Sequence, residues 1–422
     1  MRILIVSQWF DPEPFYKGLP FARRLLELGH QVEVLTGFPN YPGGRVYPGY
    51  QIRPWSKEVA EGVSITRVAL YPSHDNSGVK RIANYFSFAC SSSLLGGFLT
   101  AQPDVIYAYH PPGTVGLAAC CLRLFKRAPL VYDIQDMWPD SLAATDMFQS
   151  QLGLRAVGTA MSAVYERASR LVVLSPGFRR LLVERGVPER KVRVIYNWSA
   201  GERDRSESSS TPAEANTCSN SFTVMFAGNM GRAQGLGAVL KAAVILGTSA
   251  PSVRFLLIGS GVEKDHLRNE AAALGLNNVE FCEAVSTEKI GAVLKSADAL
   301  LVHLRDDPLF SITVPSKTQS YLMAGRPVIM GVRGDAAELI QRAQAGVLCE
   351  PENPQSIAET VIQLLHMSPA ERQRMGDAGR EFYWRHLSFE RGVKEIESVL
   401  REACDEQSRR ATGRGLTFDP GR

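Results

Sequence analysis

The 422-residue sequence lacks the cysteine patterns of a metal site or a disulfide framework. Its seven cysteines form no CxxC pair, and no histidine stands at metal-ligand spacing from them. Their number is odd and most have apolar neighbours, which is typical of buried thiols in a reducing compartment. We therefore expect no structural zinc site and no secreted, disulfide-linked domain.

The sequence also lacks a secretory signal and an unbroken membrane span. The first ten residues, MRILIVSQWF, contain one basic residue and a short apolar run, which favours a buried first strand. The longest uncharged stretch, 82–103, is long enough to cross a bilayer, but a serine cluster and Gly96-Gly97 interrupt it. It predicts a core helix, or a helix partly in the membrane interface with Lys80 and Arg81 at its edge.

No dense cluster of basic residues is present, although the charge is unevenly distributed. Residues 1–180 hold 18 Lys and Arg against 13 Asp and Glu, whereas the remainder holds 29 against 30. The basic first part either favours an anionic surface or ligand, or reflects ordinary surface variation. Because no basic motif is interleaved with aromatic residues, we expect no nucleic-acid binding.

Short runs rich in Val, Ile and Leu alternate with longer helical patterns, which predicts doubly wound α/β sheets of parallel strands. The predicted strands are 2–7, 31–36, 64–69, 104–108, 130–133, 171–174 and 192–196, then 222–227, 253–258, 279–282, 299–303, 327–330 and 346–349. The predicted helices include 18–28, 113–126, 154–168, 176–185, 236–246, 263–274, 288–296, 317–324 and 336–344.

The interruption of this alternation predicts two Rossmann-like domains. Residues 1–198 form the first domain, the Ser-rich stretch 199–221 is a linker, and 222–385 form the second domain. A helix at 386–405 is expected to pack back on the first domain, and 406–422 form a tail. Two such domains are expected to face each other across a cleft at the carboxyl ends of their strands.

Two glycine-rich turns follow neighbouring predicted strands of the second domain. Glycines allow close approach of a ligand to the backbone, and the free amides at a helix N-terminus attract anions. The turns form either a diphosphate site or ordinary connections, although two of them in adjacent β-α units favour nucleotide binding. The candidate residues are Gly228, Asn229, Gly231, Arg232, Gln234 and Gly235 in the first turn and Gly259 and Gly261 in the second.

A third candidate element is the PSK sequence at the start of the predicted helix 317–324. Helix-terminal amides and the Lys317 ammonium can jointly neutralise a departing diphosphate. Alternatively, Ser316 is a plain N-cap and Lys317 a solvated first-turn residue. Asp306 and Asp307 stand apart from other carboxylates and histidines, so we expect no bound metal.

Taken together, these segments resemble glycosyltransferase family 4, whose members have the GT-B fold. The resemblance extends from residue 1 to about residue 389 and resides in DPEPFYKGLPFARRLLELGHQVEVLTGFPNYPGG, DIQDMWPDS, VIYNWS, FAGNMGRAQGL, VPSKTQSYLMAGRPVI and CEPENP. Within that family, KGLPFA, TGFPNYP, QDMWPDS, NMGRAQG and PSKTQSYLMAG resemble especially the N-acetyl-L-fucosamine transferases of bacterial O-antigen and capsule synthesis.

The resemblance implies a retaining transferase with no cofactor. It would move a 6-deoxy-N-acetylhexosamine, such as N-acetyl-L-fucosamine, from a UDP-sugar to a polyprenyl-diphosphate-linked sugar. The protein would work in the cytoplasm, in peripheral contact with the anionic inner membrane. Two other activities stay open: a UDP-sugar 2-epimerase on the same fold, and a non-catalytic protein that binds sugar nucleotides.

The chain departs from the wider family at several donor positions. The Arg and Lys that grip the diphosphate in many members are replaced by the neutral Asn229 and Gln234. A pair of Glu residues that address sugar and ribose is replaced by Ile312 and Ser320. The resemblance therefore implies that Lys317 is the catalytic cation that neutralises the diphosphate. It also implies that Ser316, Ser320 and the glycine turns bind the donor. The missing carboxylates suggest a donor with fewer hydroxyl groups.

The acceptor is expected to bind in the first domain. Lys17 and Gly18 precede the first helix, and the long proline-stiffened loop 37–50, with Asn40 and Tyr41, is interpreted as an acceptor wall. Asp136 follows a buried strand and is the candidate for an acceptor-hydroxyl contact or proton relay. His110 and Trp138 complete the predicted acceptor residues.

Overall fold

The computed structural model describes residues 1–73, 78–144, 150–199, 202 and 221–411. Most of the predicted linker, 199–221, and the last residues, 412–422, lie outside this part of the chain. The chain divides into two compact units. The first comprises residues 1–174, 178–195 and the segment from Val393 onward, and the second comprises residues 175–177 and 196–392.

The first unit is built on an eight-stranded sheet with the order β3-β4-β2-β1-β5-β6-β7-β8. All neighbouring strands are parallel except β3 and β4, which are antiparallel. The strands are β1 (Arg2–Ser7), β2 (Gln31–Gly37), β3 (Trp55–Ala60), β4 (Val63–Val68), β5 (Val105–Tyr109), β6 (Leu130–Ile134), β7 (Arg170–Val173) and β8 (Val192–Val194). The helices are α1 (Leu19–Glu27), α2 (Gly78–Leu99), α3 (Thr114–Lys126), α4 (Asp140–Ala144), α5 (Gln151–Arg167) and α6 (Pro176–Glu184).

The second unit has a six-stranded, fully parallel sheet with the order β11-β10-β9-β12-β13-β14. Its strands are β9 (Phe222–Ala227), β10 (Val253–Ile258), β11 (Val279–Cys282), β12 (Ala299–His303), β13 (Val328–Gly331) and β14 (Gly346–Leu348). Its helices are α7 (Gly237–Ser249), α8 (Lys264–Ala273), α9 (Thr287–Lys295), α10 (Pro308–Ser311), α11 (Lys317–Ala324), α12 (Asp335–Ala343), α13 (Pro354–His366) and α14 (Pro369–His386). The predicted doubly wound α/β fold is confirmed.

The strand order of each sheet indicates where a ligand is expected to bind. In the second sheet the chain starts at β9 and continues outward on both sides, to β10 and to β12. In the first sheet the same reversal occurs at β1, between β2 and β5. Ligands of open α/β sheets bind where the strand order reverses, beyond the carboxyl ends of the strands. The loops after β9, β10 and β12 and those after β1, β5 and β6 therefore hold the positions of interest.

One strand of the first unit was absent from the sequence prediction. β3 (Trp55–Ala60) lies at the edge of the sheet and pairs only with β4. Its residues alternate between exposed and half-buried, and it carries Lys57 and Glu58. Because an edge strand does not need two apolar faces, β3 lacks the apolar run that marks the buried parallel strands.

The last helix, α15 (Phe389–Ala411), is a correction to the predicted tail. The sequence prediction ended this helix at residue 405, but residues 406–411 continue it. From Val393 onward the helix belongs to the first unit, where Glu397 Oε1 lies 2.9 Å from His30 Nε2. The side chain of Gln407 donates to the carbonyl of Arg127, and Glu406 pairs with Arg170. These contacts with α3 and β7 extend the helix beyond residue 405.

Helix α2 is, within the described residues, the one helix long and apolar enough to cross a membrane by length and composition. One third of its apolar window is buried inside the protein. The exposed apolar side chains include Phe86, Leu94 and Phe98. Core helices can meet the same length and composition criteria, so this feature alone does not assign the helix to a membrane.

We predict that Gly376→Ala lowers the stability of the second unit by about 1–3 kcal/mol, because the added methyl group overpacks an interhelical contact. A Cβ at Gly376 in α14 would lie 2.2 Å from the carbonyl oxygen of Gly325, which ends α11. Gly291→Ala in α9 is the matched control, since nothing lies within 4 Å of the added Cβ. The control should gain up to about 1 kcal/mol from helix propensity. Equal melting temperatures for the two variants would contradict this packing argument.

Candidate functional site

The two glycine turns of the second unit pack directly against each other. The amide of Gly228 donates to the carbonyl of Ile258 at 2.9 Å, and the amide of Met230 donates to that of Ser260 at 2.7 Å. Gly259 has φ +143°, and a Cβ there would lie 2.0 Å from the carbonyl oxygen of Gly228. Any side chain at Gly259 would therefore separate the two loops. The structure brings together the turns that the sequence predicted would converge.

The remainder of the first turn is held by hydrogen bonds to its own backbone. The side chain of Gln234 accepts from the amide of Gly231 at 2.9 Å and thus closes a short 3-10 turn. Gly235 follows in the left-handed conformation, with φ +57°, and α7 begins two residues later. The N-cap residue of α7, Leu236, makes no side-chain capping hydrogen bond. The first-turn amides of Ala238 and Val239 instead donate to the carbonyls of Gly235 and Leu236, at 3.2 and 3.0 Å.

His303 fixes this turn, and the sequence prediction did not assign it a role. Its Nδ1–H donates to the carbonyl of Gln234 at 2.6 Å, while Nε2 accepts from the amide of Glu352 at 3.0 Å. This arrangement requires the neutral ring, and burial lowers the pKa of His303. A buried histidine at the end of a strand resembles a core residue in sequence, so only its contacts reveal the positioning role.

Lys317 lies at the first residue of α11, next to the glycine turns. Its Nζ is 3.6 Å from the centroid of the Phe226 ring, and a Cβ at Gly228 would lie 3.4 Å from that nitrogen. The nitrogen is buried and, within the described residues, has no hydrogen-bond partner. Burial lowers the pKa of Lys317 from 10.5 to about 7. An unpaired buried cation is costly, and an anion placed beside the glycine turns would relieve this cost.

The other predicted donor residues make different contacts. Asn229 and Ser316 are exposed, and Gly261 packs so closely that a Cβ would lie 2.4 Å from the carbonyl oxygen of Met230. Arg232 is 73% exposed, and its Nε lies 3.5 Å from Glu263 Oε1. The hydroxyl of Ser320 lies 2.9 Å from that of Ser199. The structure thus gathers the glycines and Lys317, whereas Arg232 and Ser320 have partners of their own.

In the first unit, Asp136, His110 and Trp138 lie together after β5 and β6. The amide of Asp136 donates to His110 Nδ1 at 3.3 Å, and the ring centroids of His110 and Trp138 are 5.7 Å apart. Burial lowers the pKa of His110 to about 3, so the ring is neutral and its Nε2 carries the proton. Within the described residues, this buried Nε2 has no partner.

Asp136 combines an accessible side chain with a raised pKa. Its surface is open to solvent, yet the protein surrounding it disfavours the charge and raises the pKa to about 6. A carboxyl group that is accessible and titrates near neutral pH is suited to proton exchange with a bound hydroxyl group.

The predicted acceptor wall is organised around Glu13, which the sequence prediction did not identify. Glu13 Oε1 accepts from the amides of Asn40 and Tyr41, both at 2.7 Å, and Oε2 accepts from that of Phe10 at 3.0 Å. Burial nevertheless raises the pKa of Glu13 to about 7. The Tyr41 ring packs 4.7 Å from that of Trp9, centroid to centroid. Asn40 is buried, so of the two predicted residues only Tyr41 keeps a partly open surface.

Lys17 and Gly18 occupy different surroundings from those predicted. Lys17 Nζ pairs with Asp133 Oδ2 at 3.0 Å, and both side chains are fully buried. Asp11 accepts from the amide of Leu19 at the start of α1, and a Cβ at Gly18 would lie 2.0 Å from Asp11 Oδ2. A buried carboxylate therefore neutralises Lys17, and another caps α1. The prediction that Lys17 and Gly18 contact the acceptor therefore does not hold.

No group of three or more His, Cys, Asp or Glu side chains in the described part of the chain can hold a metal ion. Asp307 caps α10 by accepting from the amide of Leu309, and Asp306 lies 3.3 Å from Arg333 Nε. Asp306 and Asp307, which are adjacent in the sequence, therefore serve local structure.

Comparison with known proteins identifies both halves of the chain. Residues 19–198 match the family model of a glycosyl transferase 4-like domain, and residues 210–382 match that of the glycosyl transferases group 1. The chain is 25% identical over 424 residues to the putative colanic acid biosynthesis glycosyl transferase WcaI of Escherichia coli, covering 95% of this chain and 100% of the relative. It is 22% identical over 313 residues to the probable glycosyltransferase WbjE of Pseudomonas aeruginosa, covering 71% and 76%.

Solved structures show the same fold at low identity. Sucrose-phosphate synthase from Thermosynechococcus elongatus has a TM-score of 0.69 at 16% identity, covering 95% of this chain and 98% of that one. Anabaena Alr3699/HepE in complex with UDP-glucose has a TM-score of 0.68 at 15% identity, covering 95% and 100%. At these identities the likeness concerns the fold.

We predict that Lys317→Met raises the melting temperature at pH 6 relative to wild type and that this advantage shrinks between about pH 7 and pH 10.5. Below about pH 7 the lysine is charged in the folded and unfolded protein, so the folded state bears the full desolvation cost. Above pH 7 the folded protein releases the proton, so the stability of the wild type relative to the variant rises with pH. The control is Lys241→Met, because Lys241 lies exposed on α7. A pH-independent difference would show that Lys317 is not desolvated.

Proposed function

Because the chain belongs to the glycosyltransferases of GT-B fold, with a glycosyl transferase 4-like domain before a group 1 domain, we propose that it transfers a sugar from a UDP-sugar to a lipid-linked sugar acceptor. The second unit holds the donor and the first unit holds the acceptor. The setting is the synthesis of a bacterial O-antigen or capsule polysaccharide. WcaI, similar along its whole length, is named for colanic acid biosynthesis.

The single observation that carries the proposal is the Lys317 nitrogen beside the turn at Gly228, which has no hydrogen-bond partner in the described part of the chain. A glycosyl transfer develops negative charge on the departing diphosphate, so a preorganised cation and amides at that point lower the barrier. The glycine turn after β9 leads into the N-terminus of α7, the kind of helix end that favours an anion. Alr3699/HepE, with the same fold, was solved with UDP-glucose, which supports a donor of this class.

The proposed mechanism requires no cofactor and no metal. Lys317, protonated when the donor is bound, neutralises the diphosphate as the anomeric carbon becomes cationic. The acceptor hydroxyl attacks from the face of the departing diphosphate, so the anomeric configuration is retained. Asp136, with a pKa of about 6, is largely ionised at neutral pH, so its carboxylate holds the acceptor hydroxyl and accepts the proton that this hydroxyl loses as the new C–O bond forms and the diphosphate departs. The protonated Nε2 of His110 is available to donate a hydrogen bond to a sugar oxygen.

We propose a 6-deoxy-N-acetylhexosamine, such as N-acetyl-L-fucosamine, as the sugar. Ile312 and Ser320 replace two carboxylates that address donor hydroxyls in many family members. Ser320 is partly buried, and its hydroxyl is engaged by that of Ser199. A site without buried acceptors does not penalise a donor that lacks a hydroxyl group.

The proposed acceptor requires peripheral contact with the inner membrane from the cytoplasm. Exposed apolar side chains of α2 and α3 adjoin: the rings of Phe98 and Phe125 are 5.0 Å apart, and Leu124 is 70% exposed. The basic Lys80 is exposed at the start of α2. An apolar face with a basic margin is suited to the interface of an anionic bilayer. We propose that this α2–α3 face contacts the membrane.

We predict that Lys317→Met lowers turnover by about a hundredfold or more, the loss typical when a stabilising group is removed from a developing anion. Wild-type affinity for UDP should fall by on the order of tenfold between pH 7 and pH 8.5, because the free lysine loses its proton over this range. The measurements are transfer to membrane lipid extract over a panel of UDP-sugars and calorimetric binding of UDP.

In the variant, UDP affinity should be low and nearly independent of pH over the same range, whereas Lys241→Met should match wild type in both measurements. Wild-type turnover by the Lys317 variant would remove this residue from the mechanism. Conversion of the sugar nucleotide without acceptor would favour an epimerase, and donor binding without transfer would favour a binding protein.

We predict that Phe98→Asp weakens binding to vesicles that contain anionic phospholipid by about tenfold or more, since burying a phenylalanine side chain contributes about 1.5–3 kcal/mol. The matched control is Leu152→Asp, because Leu152 is 78% exposed on α5 in the same unit. Vesicle flotation measures both variants. If wild-type protein ignores anionic vesicles, or if the two variants bind alike, the α2–α3 face is not the membrane contact.

A further inference from the structure

A cavity lies in the first unit at the amino ends of the sheet strands. Asp136 and His110 lie at the opposite, carboxyl ends. Those two residues follow the carboxyl ends of β6 and β5, whereas the cavity residue Arg170 begins β7 and Lys191 immediately precedes β8. The cavity has a volume of about 530 Å³. Its lining consists of Arg123, Glu166, Arg167, Ala168, Ser169, Arg170, Arg190, Lys191, Ala403, Glu406 and Gln407.

The lining is strongly basic. It contributes five cationic side chains and two carboxylates, an excess of three positive charges. Arg170 is already paired with Glu406 and with Glu402, a carboxylate outside the lining, so the positive charge of the cavity rests mainly on the other four cations. Such a concentration of one sign in a concave site attracts counter-ions of the opposite sign.

Two of these cations lack an internal partner. Within the described residues, neither Arg123 nor Arg190 makes a hydrogen bond or an ion pair, although each lines the cavity. Arg123 projects from the last turns of α3, and Arg190 from the short 3-10 turn before β8. Helix α3 and this turn therefore bring to one cavity two guanidinium groups that have no partner among the described residues, and a bound anion would offset their charge.

From this geometry we infer a second ligand site, in which the cavity binds a phosphomonoester or pyrophosphate group. Guanidinium groups present planar pairs of N–H donors that match phosphate oxygens, and a doubly charged group offsets most of the excess charge. The volume is within the range of small-molecule sites. This inference goes beyond the proposed transfer reaction, whose residues lie at the carboxyl ends of the strands of this sheet and in the second unit.

Two sources share this phosphate chemistry. One is a soluble phosphorylated metabolite, and the other is the headgroup of a membrane lipid. Arg123 is followed in α3 by the exposed Leu124 and Phe125, so a headgroup in the cavity would have apolar side chains nearby for its acyl chains. Helix α15 supplies Ala403, Glu406 and Gln407 to the lining, so an occupant would also contact the C-terminal helix.

The test uses the full chain and the double variant Arg123→Gln/Arg190→Gln. The first arm measures calorimetric binding of inorganic pyrophosphate in the presence of saturating UDP, which keeps the probe out of the donor site. The second arm measures flotation with vesicles containing phosphatidic acid. The matched control is Arg53→Gln/Arg155→Gln, two exposed arginines of the same unit outside the cavity.

We expect the cavity variant to lose at least tenfold in affinity in one arm and the control to lose less than twofold. A loss in the pyrophosphate arm identifies a soluble ligand, and a loss confined to vesicles identifies a headgroup. If wild type binds neither probe, or if cavity and control variants behave alike in both arms, the inference is overturned. Melting temperatures verify folding, and unchanged sugar transfer by the cavity variant in detergent-solubilised extract separates this site from the catalytic one.

Discussion

The candidate site of the second unit depends on one lysine nitrogen that is enclosed by protein, lies over an aromatic ring and has no hydrogen-bond acceptor within the described residues. Lys317 Nζ lies over Phe226, the side chain just before the end of β9, and beside Gly228 in the turn that follows. The aromatic face compensates a part of the lost hydration. The lowered pKa shows that the compensation is incomplete. A site of this kind favours anion binding, because the desolvation cost of the buried ammonium group is relieved only when an anion binds.

Several distant parts of the chain maintain this arrangement. The hydroxyl of Tyr321, one turn along α11 from Lys317, accepts from the amide of Ala227 at 2.8 Å and so ties the helix to the end of β9. His303 holds the other end of the glycine turn. Gly376 lets α14 approach the end of α11 closely. The lysine is therefore held by backbone geometry and neutral hydrogen bonds, none of which supplies a counter-charge.

The sequence was sufficient to predict the fold and the convergence of the two glycine turns, because both depend on local patterns. Strands β9, β10, β11 and β12 are largely apolar runs. The turns after β9 and β10 carry glycines where φ is positive or where the two backbones approach closely. The position of Lys317 follows from the PSK sequence before a helical pattern. In contrast, β3 is polar and pairs on one side only, so it has no such run.

The partners of buried polar groups were not predictable, since they come from residues far apart in the chain. Lys17 reads as an exposed lysine before a helix, yet it is neutralised by Asp133, more than a hundred residues later. Glu13 organises the loop at Asn40 and Tyr41 although nothing in its own segment indicates a buried carboxylate. Arg123 and Arg190, which have no partner among the described residues, likewise come to line one cavity only in the folded first unit.

The structure of the protein crystallised with UDP tests the central claim most directly. The account predicts that the diphosphate lies beside the turn at 228–231, with a phosphate oxygen within hydrogen-bonding distance of Lys317 Nζ. A diphosphate bound elsewhere, with the Lys317 nitrogen still over Phe226 and without an anionic partner, would contradict it.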